Sequence, residues 1–411
     1  MLLAHGSHAQ SWEVFDMNTA GFPSNNVTDI ALDGQGRTWV STDWGLCLFE
    51  NGGWSFFQTQ NSGIPDNRLL CLDVDSLDRV WIGTLLNGVL VYDGTTWVNY
   101  TTQNSPLPDD QIKCITIDHR GWAWIGTFLG LVCYTGTEWR IYDESPTSYG
   151  GLQLNGQVIE DVAVRADGLV AIGTLNGGFH YLTDTSVAVH ATYIDLFPDN
   201  SQLGVAIDTV AEERWVVTPS QGLLRQGGSW ESGPWFQYST GLSTIPSNAL
   251  ISIAMDAQGR PWVGSMDKGL IVREPNGTFA SYDTLNSDIP HNTVEVVKVA
   301  SDGAIWVGTP FAGAARFHPT DAIVENNDAP ALRLFPVPAD DHVTIIWPHE
   351  AMGFDWKVYD ACGHEVLFGS ASTAFGEVID LRGLHTGVYV VHAYTASRTA
   401  RATVLKDARH P

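Results

Sequence analysis

The chain has 411 residues, 44% of them hydrophobic, with 41 glycines, 19 prolines and 16 tryptophans. A single ordinary core does not reach this size unless the fold is a closed array of repeats. Short apolar runs between turn residues, without sustained helical periodicity, point to an all-β chain. The formal net charge of −25, from 46 acidic against 21 basic residues, repels phosphate backbones and anionic lipid, so nucleic acid and membrane surfaces are poor partners.

Residues 1–10, "MLLAHGSHAQ", hold an apolar run far shorter than a signal h-region, yet end in small residues that suit a cleavage site. They read as the remnant of a signal peptide. No stretch approaches the roughly 18 apolar residues of a membrane span.

From residue 11 to 319 the chain repeats. The segments "TWVSTDWGLCLFE", "VWIGTLLNGVLVYD", "AWIGTFLGLVCYT", "VAIGTLNGGFHYL", "RWVVTPSQGLLRQ", "PWVGSMDKGLIVR" and "IWVGTPFAGAARF" align on Trp39, Trp81, Trp124, Ala171, Trp215, Trp262 and Trp306. Successive anchors are 42, 43, 47, 44, 47 and 44 residues apart, the length of a four-stranded propeller blade. In the second unit "RLLCLDVD" alternates as an inner strand, "RVWIGT" and "GVLVYD" follow as the second and third, and "WVNY" is the outer fourth.

Outer-strand counterparts are "WEVF", "WSFF", "WVNY", "WRIY", a divergent "HATYI", "WFQY" and "TFASY". The first of them precedes every complete unit, and the last unit has none of its own. The N-terminal strand is therefore expected to complete the last blade, giving a seven-bladed β-propeller without an open sheet edge. The recurring tryptophan should fill the wedge between neighbouring blades, and the glycine after the anchor pair permits close backbone approach. Ala171 breaks the pattern, so its blade should pack less fully or borrow another aromatic. Cys47, Cys71, Cys114 and Cys133 fall inside apolar strand runs and read as buried free thiols, with a Cys71–Cys114 bridge as the alternative.

These units resemble the two-component regulator propeller family, through the loops "QNSGIPDN", "QNSPLPDD" and "LNSDIPHN", an inner strand ending in Asp, and the "WIGT" motif. The resemblance covers roughly residues 11–319, with 139–230 divergent. It implies a propeller of the kind that often serves as a sensor outside the cytoplasm, frequently for glycans. No kinase region or DNA-binding helix pair accompanies it here.

Residues 320–331, "TDAIVENNDAPA", are polar and carry proline near the end, as a linker does. From 332 to 411 about seven short alternating runs suggest a small Ig-like β-sandwich. The pieces "LFPVPADDHVTI", "VYDACGHEV", "IDLRGLHTGVYVV" and "TARATVLK" resemble the C-terminal sorting domain of the type IX secretion system of Bacteroidetes-type bacteria. The matching residues include Pro336, Pro338, Gly363, Gly387, Tyr389 and Lys406. The resemblance implies the type IX secretion machinery as a partner and an extracellular or outer cell-surface location. A carbohydrate-binding sandwich is the alternative.

Catalytic, metal and cofactor motifs are missing from the sequence. The aspartates of "DGQG", "DHRG" and "DAQG" sit where a hairpin needs a turn former and do not read as calcium ligands. Specificity should lie where the units differ. The loops between second and third strands emerge on the same face as the loops joining blades. They carry Asp43, Trp44, Asn87, Phe128, Asn176, Gln221, Asp267, Lys268 and Phe311, and aromatics among such polar groups suit a glycan or protein ligand. The expected function is that of a secreted or surface propeller binding module. The alternatives are a polysaccharide-active lyase or hydrolase using this face, and an extracytoplasmic sensor working with a separate histidine kinase.

Overall fold

The computed structural model describes residues 11–154, 158–183, 186–190, 198–208, 212–227, 233–319, 333–335, 341–346, 354–360, 364–371, 377–394 and 399–406. The chain divides into two compact units, Met1–Thr320 and Asp321–Pro411.

Among the described residues the first unit is built from four-stranded antiparallel sheets, seven of them. Six use consecutive strands, as in Leu69–Val74, Val80–Thr84, Val89–Tyr92 and Trp97–Tyr100. The seventh joins Val296–Val299, Ile305–Gly308 and Ala314–His318 to the N-terminal strand Ser11–Phe15, with Trp12 opposite Phe317. Each inner strand touches the inner strand of the next sheet, and Val296–Val299 touches Val27–Leu32. In the fourth sheet the outer strand is Val187–His190. It precedes most of "HATYI", whose later residues lie outside the described ones. Among the described residues the only helical element is the single turn Tyr149–Gly151.

The tryptophans fill the wedges. Trp39, on the second strand of the first sheet, packs with Leu69, Leu72, Ile82 and Leu90 of the second. Trp262 packs likewise against Val294, Val297, Ile305 and Val307 of the last. The indole N–H also needs an acceptor once buried. Asp33, Asp75, Asp118 and Asp256 supply it, accepting from Trp39, Trp81, Trp124 and Trp262 at 2.8–3.1 Å. The same carboxylates accept from Arg37, Arg79, Arg120 and Arg260 at 2.5–2.9 Å. Each also closes its turn, as Asp33 does by accepting the Gln35 and Arg37 N–H groups. One aspartate thus holds a turn, an arginine and the wedge indole together.

Where Ala171 replaces the anchor, its cross-strand partner Tyr181 and neighbouring Phe179 are fully buried, with Trp235 packed against them. The Tyr181 hydroxyl donates to Gln226 Oε1 of the next sheet at 2.5 Å. The four propeller cysteines are buried and free. At Gly83 a Cβ would collide with Cys71 Sγ and Ile112 of the next inner strand, so the motif glycine marks a close approach between sheets.

The second unit has a three-stranded sheet, Arg333–Phe335, His342–Ile346 and Glu377–Asp380, and a four-stranded one, Phe354–Tyr359, Glu365–Ala371, Gly387–Tyr394 and Thr399–Lys406. Val343, Ile345 and Ile379 from one sheet share a core with Trp356, Val358 and Val391 from the other. Buried Lys406 donates to the carbonyls of Leu381 and Leu384, and the Tyr389 hydroxyl donates to the His385 carbonyl at 2.8 Å. Both clamp the 381–385 turn onto the four-stranded sheet. Gly387 opens its long third strand, whereas Pro336, Pro338 and Gly363 lie outside the described residues.

Trp262→Ala should lower propeller stability by about 3–5 kcal/mol, the cost of emptying an aromatic site in a core. Trp44→Ala, at an exposed indole, should stay within about 0.5 kcal/mol of the parent. Urea unfolding followed by tryptophan fluorescence checks the pair.

Candidate functional site

In each of the seven sheets of the first unit the second strand ends in, or is directly followed by, a threonine or serine, and that hydroxyl builds the hairpin after it. Thr42, Thr84, Thr127, Thr174, Thr218, Ser265 and Thr309 each donate to the carbonyl of the glycine that closes the hairpin, at 2.7–3.0 Å. In six sheets the same oxygen accepts a hairpin backbone N–H, for example from Asn87, Gln221 and Lys268 at 2.8–2.9 Å. The hydroxyls are fully buried and satisfied, so the hairpins are stiff supports. At Gly88, φ is +69° and a Cβ would strike the Tyr100 carbonyl, which leaves glycine as the residue that fits.

Hairpins and inter-sheet loops share one face. The N–H groups of Gly88, Gly222, Gly269 and Gly313 donate to the carbonyls of Asp110, Asn248, Asn292 and Asn25 at 2.8–3.0 Å. The loops are anchored in turn: Asn67, Asn248 and Asn292 side chains accept the N–H eight residues earlier, at 2.8–2.9 Å. Ile64, Leu107, Ile245 and Ile289 of the loops are buried.

All nine residues singled out in the sequence lie on these hairpins. Trp44 and Phe311 stand out, 56% and 70% exposed. Phe128 is half-buried instead, its ring 5.3 Å from the Lys113 ammonium, and the neighbouring Leu129 takes the exposed position. The polar members are engaged locally. Asp43 accepts from Asn26 at 3.2 Å, Asn87 donates to Asp66 at 3.4 Å and Asp267 accepts from Ser247 at 2.6 Å. Asn176, with φ of +65°, bonds Ser201 at 3.3 Å, and Gln221 bonds Ser220 at the same distance. The Lys268 backbone binds Ser265 and its side chain is exposed.

The structure adds exposed apolar residues to those nine. Leu86, Leu129, Leu175 and Met266 are exposed on the hairpins of the second, third, fourth and sixth sheets. With Trp44 and Phe311 they place one exposed apolar side chain on six of the seven hairpins. His291, in an inter-sheet loop, lies edge-on to Phe311 with ring centroids 5.3 Å apart, and its Nδ1 accepts the Thr293 N–H at 2.9 Å.

Inside this collar runs a charged channel. Inner strands start on the hairpin face, since their first residues pair with the last of the second strand, as Val27 does with Thr42. Early residues therefore lie near the mouth. Lys113 and Glu160 occupy matching early positions on adjacent strands and pair at 3.1 Å. Glu295 holds the corresponding place on the seventh, half-buried and with no ion pair or side-chain hydrogen bond among the described residues; burial alone raises its pKa. Deeper, the Lys298 ammonium lies 3.5 Å from Asp29 and is held protonated by Asp29 first, with Asp73 and Asp161 adding to it. Lys298, Asp29 and Asp73 come from the neighbouring seventh, first and second sheets, and Asp161 from the fourth.

The three aspartates also join neighbouring inner strands. Asp29 accepts the Leu72 N–H, Asp73 that of Ile117 and Asp161 that of Val205, at 2.7–2.9 Å. Burial raises the pKa of Asp73 and pushes that of Asp161 up to about 6.

Comparison with known proteins agrees with this architecture. The secretion system C-terminal sorting domain model matches residues 333–406 and the two component regulator propeller model matches residues 21–44. The first of these matches covers most of the second unit. A domain of this type directs secretion to the cell surface or extracellular space, and among the described residues no helix is long and apolar enough to cross a membrane.

Among solved structures the chain is similar to the extracellular domain of a hybrid two-component system from B. thetaiotaomicron, at 19% identity and a TM-score of 0.66, over 97% of this chain and 57% of that one. It is also similar to PorZ, a surface component of the type-IX secretion system of Porphyromonas gingivalis, at 17% identity and a TM-score of 0.58, over 93% and 60%. Virginiamycin B lyase from Staphylococcus aureus is similar at 14% identity and a TM-score of 0.59, over 75% and 99%. The chain thus spans less than two thirds of the first two proteins. At these identities the likeness is one of fold, an all-β propeller. No curated protein matches the sequence.

The raised pKa of Asp161 gives a signed expectation. Its carboxyl binds a proton more tightly folded than unfolded, so its favourable contribution is complete below pH of about 4 and is lost as pH rises to about 6. Melting temperature measured across that window should fall less steeply with rising pH in Asp161→Asn than in the parent.

Proposed function

We propose that the chain is a secreted or cell-surface binding protein that takes a glycan or protein ligand on its hairpin face. In this reading residues 11–319 are one seven-bladed β-propeller closed by the N-terminal strand. The expected signal-peptide remnant at 1–10 and linker at 320–331 lie outside the described residues. Residues 332–411 are an Ig-like sandwich that engages the type IX secretion machinery. The observation that carries the binding role is the apolar collar. A row of exposed apolar side chains on rigid hairpins is costly in water, and such patches mark interaction sites.

Binding is favoured over chemistry by the state of the polar groups. Acid–base catalysis needs a positioned pair. The histidine on this face is bonded to backbone and packed on Phe311, with no carboxylate bonded to its ring among the described residues. The likeness to a lyase extends to fold alone. The sensor reading draws on the B. thetaiotaomicron ectodomain and differs in location, since a sensor working with a membrane kinase stays in the periplasm.

Removing residues 332–411 should strand the protein in the periplasm, while the full chain reaches the outer surface or medium. Fractionation with surface protease accessibility reads this. A full chain that remains periplasmic would favour the sensor. Loss of ligand in Trp44→Ala with Phe311→Ala, with unchanged melting temperature, is the expected mark of the hairpin face.

A further inference from the structure

We propose that the hairpin face takes a polypeptide segment in which a lysine or arginine is flanked by apolar side chains. The basic group would meet Glu295 at the channel mouth and the apolar groups would lie on the collar. This rests on the binding reading of the same face and names its partner.

The shape of the collar favours a polypeptide over a sugar. Four of its six exposed residues, Leu86, Leu129, Leu175 and Met266, are aliphatic and offer no flat π-surface to a pyranose ring. The hairpin polar groups that would hydrogen-bond hydroxyls are already bonded to protein: Asn87 to Asp66, Asp267 to Ser247, Asn176 to Ser201. Apart from the exposed Lys268 side chain, what the hairpins leave free is mainly apolar. Adaptable aliphatic and methionine contacts around two aromatic anchors suit side chains of another protein.

Charge chooses the polar part of that partner. At the mouth Lys113 is neutralised by Glu160, whereas Glu295 is half-buried with no counter-cation among the described residues. Below it, Asp29, Asp73 and Asp161 face a single ammonium, that of Lys298. A carboxylate kept from water without a partner is unfavourable, and an incoming cation relieves that cost. The fixed field of the channel adds attraction for a basic group and repels an acidic one.

The test uses the purified full chain, panned against a phage-displayed library of random linear peptides, with the strongest segment resynthesised. The expected result is enrichment of a basic residue between apolar ones. Affinity for that segment should fall at least about tenfold, or about 1.4 kcal/mol, in Glu295→Gln, and comparably when the segment's basic residue is replaced by methionine. Parent and variant should have equal melting temperatures. No enrichment, enrichment without a basic residue, or binding indifferent to Glu295→Gln overturns the proposal.

The double variant Trp44→Ala with Phe311→Ala separates this failure from that of the binding face. A segment that ignores Glu295→Gln yet is lost in the double variant leaves the face standing and removes the basic partner. One that ignores both variants removes both. A glycan that binds in an array and is lost in the double variant overturns the polypeptide partner and keeps the face.

Discussion

A buried indole brings a large apolar surface and one N–H donor that must not be left alone, and the first unit is organised around meeting both demands at once. The ring fills the widening gap between sheets, which backbone alone cannot occupy. The turn aspartate between the first two strands then reaches back to the N–H. Because that carboxylate also closes its turn and takes an arginine, the wedge, the turn and the strand edge are held by one side chain. Where the device is broken, other chemistry enters. Ala171 gives its space to Tyr181 and Phe179, and Trp215, whose indole N–H has no bonded partner among the described residues, has the guanidinium groups of Arg225 and Arg273 at 5.9 and 5.7 Å from its ring.

The opposite end of each second strand has its own invariant, the buried hydroxyl that pins the hairpin. Seven sheets repeat the same pair of groups, threonine or serine with the closing glycine carbonyl. The side chains between them are less constrained than the pin, and several are free to stand exposed. That division separates scaffold from specificity within a few positions: "WIGT" is constrained by wedge and pin, while the residues that follow can vary from Trp44 to Leu86 to Phe311. It also explains how apolar side chains can be kept in water there. The hairpin backbone is already satisfied and has no alternative fold into which those side chains could withdraw.

Much of this was legible in the chain. The tryptophan period marked the sheets, and the missing outer strand of the last unit pointed to pairing between Ser11–Phe15 and Ala314–His318. The hairpin positions were legible too, because they are the variable residues inside a fixed frame. Less legible was which side chain of each hairpin stands free. Attention to aromatics selected Phe128, yet the two-residue hairpin turns it toward Lys113 and leaves Leu129 outside. Leu129, Leu175 and Met266 look like ordinary core residues in a linear reading, since aliphatic character alone does not tell the inside of a strand from the tip of a turn. Residues Pro336, Pro338 and Gly363 were recognised by motif and lie outside the described structure.

By itself the sequence determined the architecture, because spacing of wedge tryptophans, alternation within strands and turn residues are local and additive along the chain. The secretion sorting domain was determined in the same way, by motifs set along the strands of one small unit. Only the tertiary structure decided the electrostatics of the channel. Lys298, Asp29, Asp73 and Asp161 are separated by tens to hundreds of residues and come together because the inner strands of the seventh, first and second sheets are neighbours and that of the fourth lies within electrostatic reach. Whether Glu295 has a partner is likewise a fact of three dimensions. Its neighbours at the mouth belong to other sheets, and a charge is paired or left alone by distances that no linear period encodes.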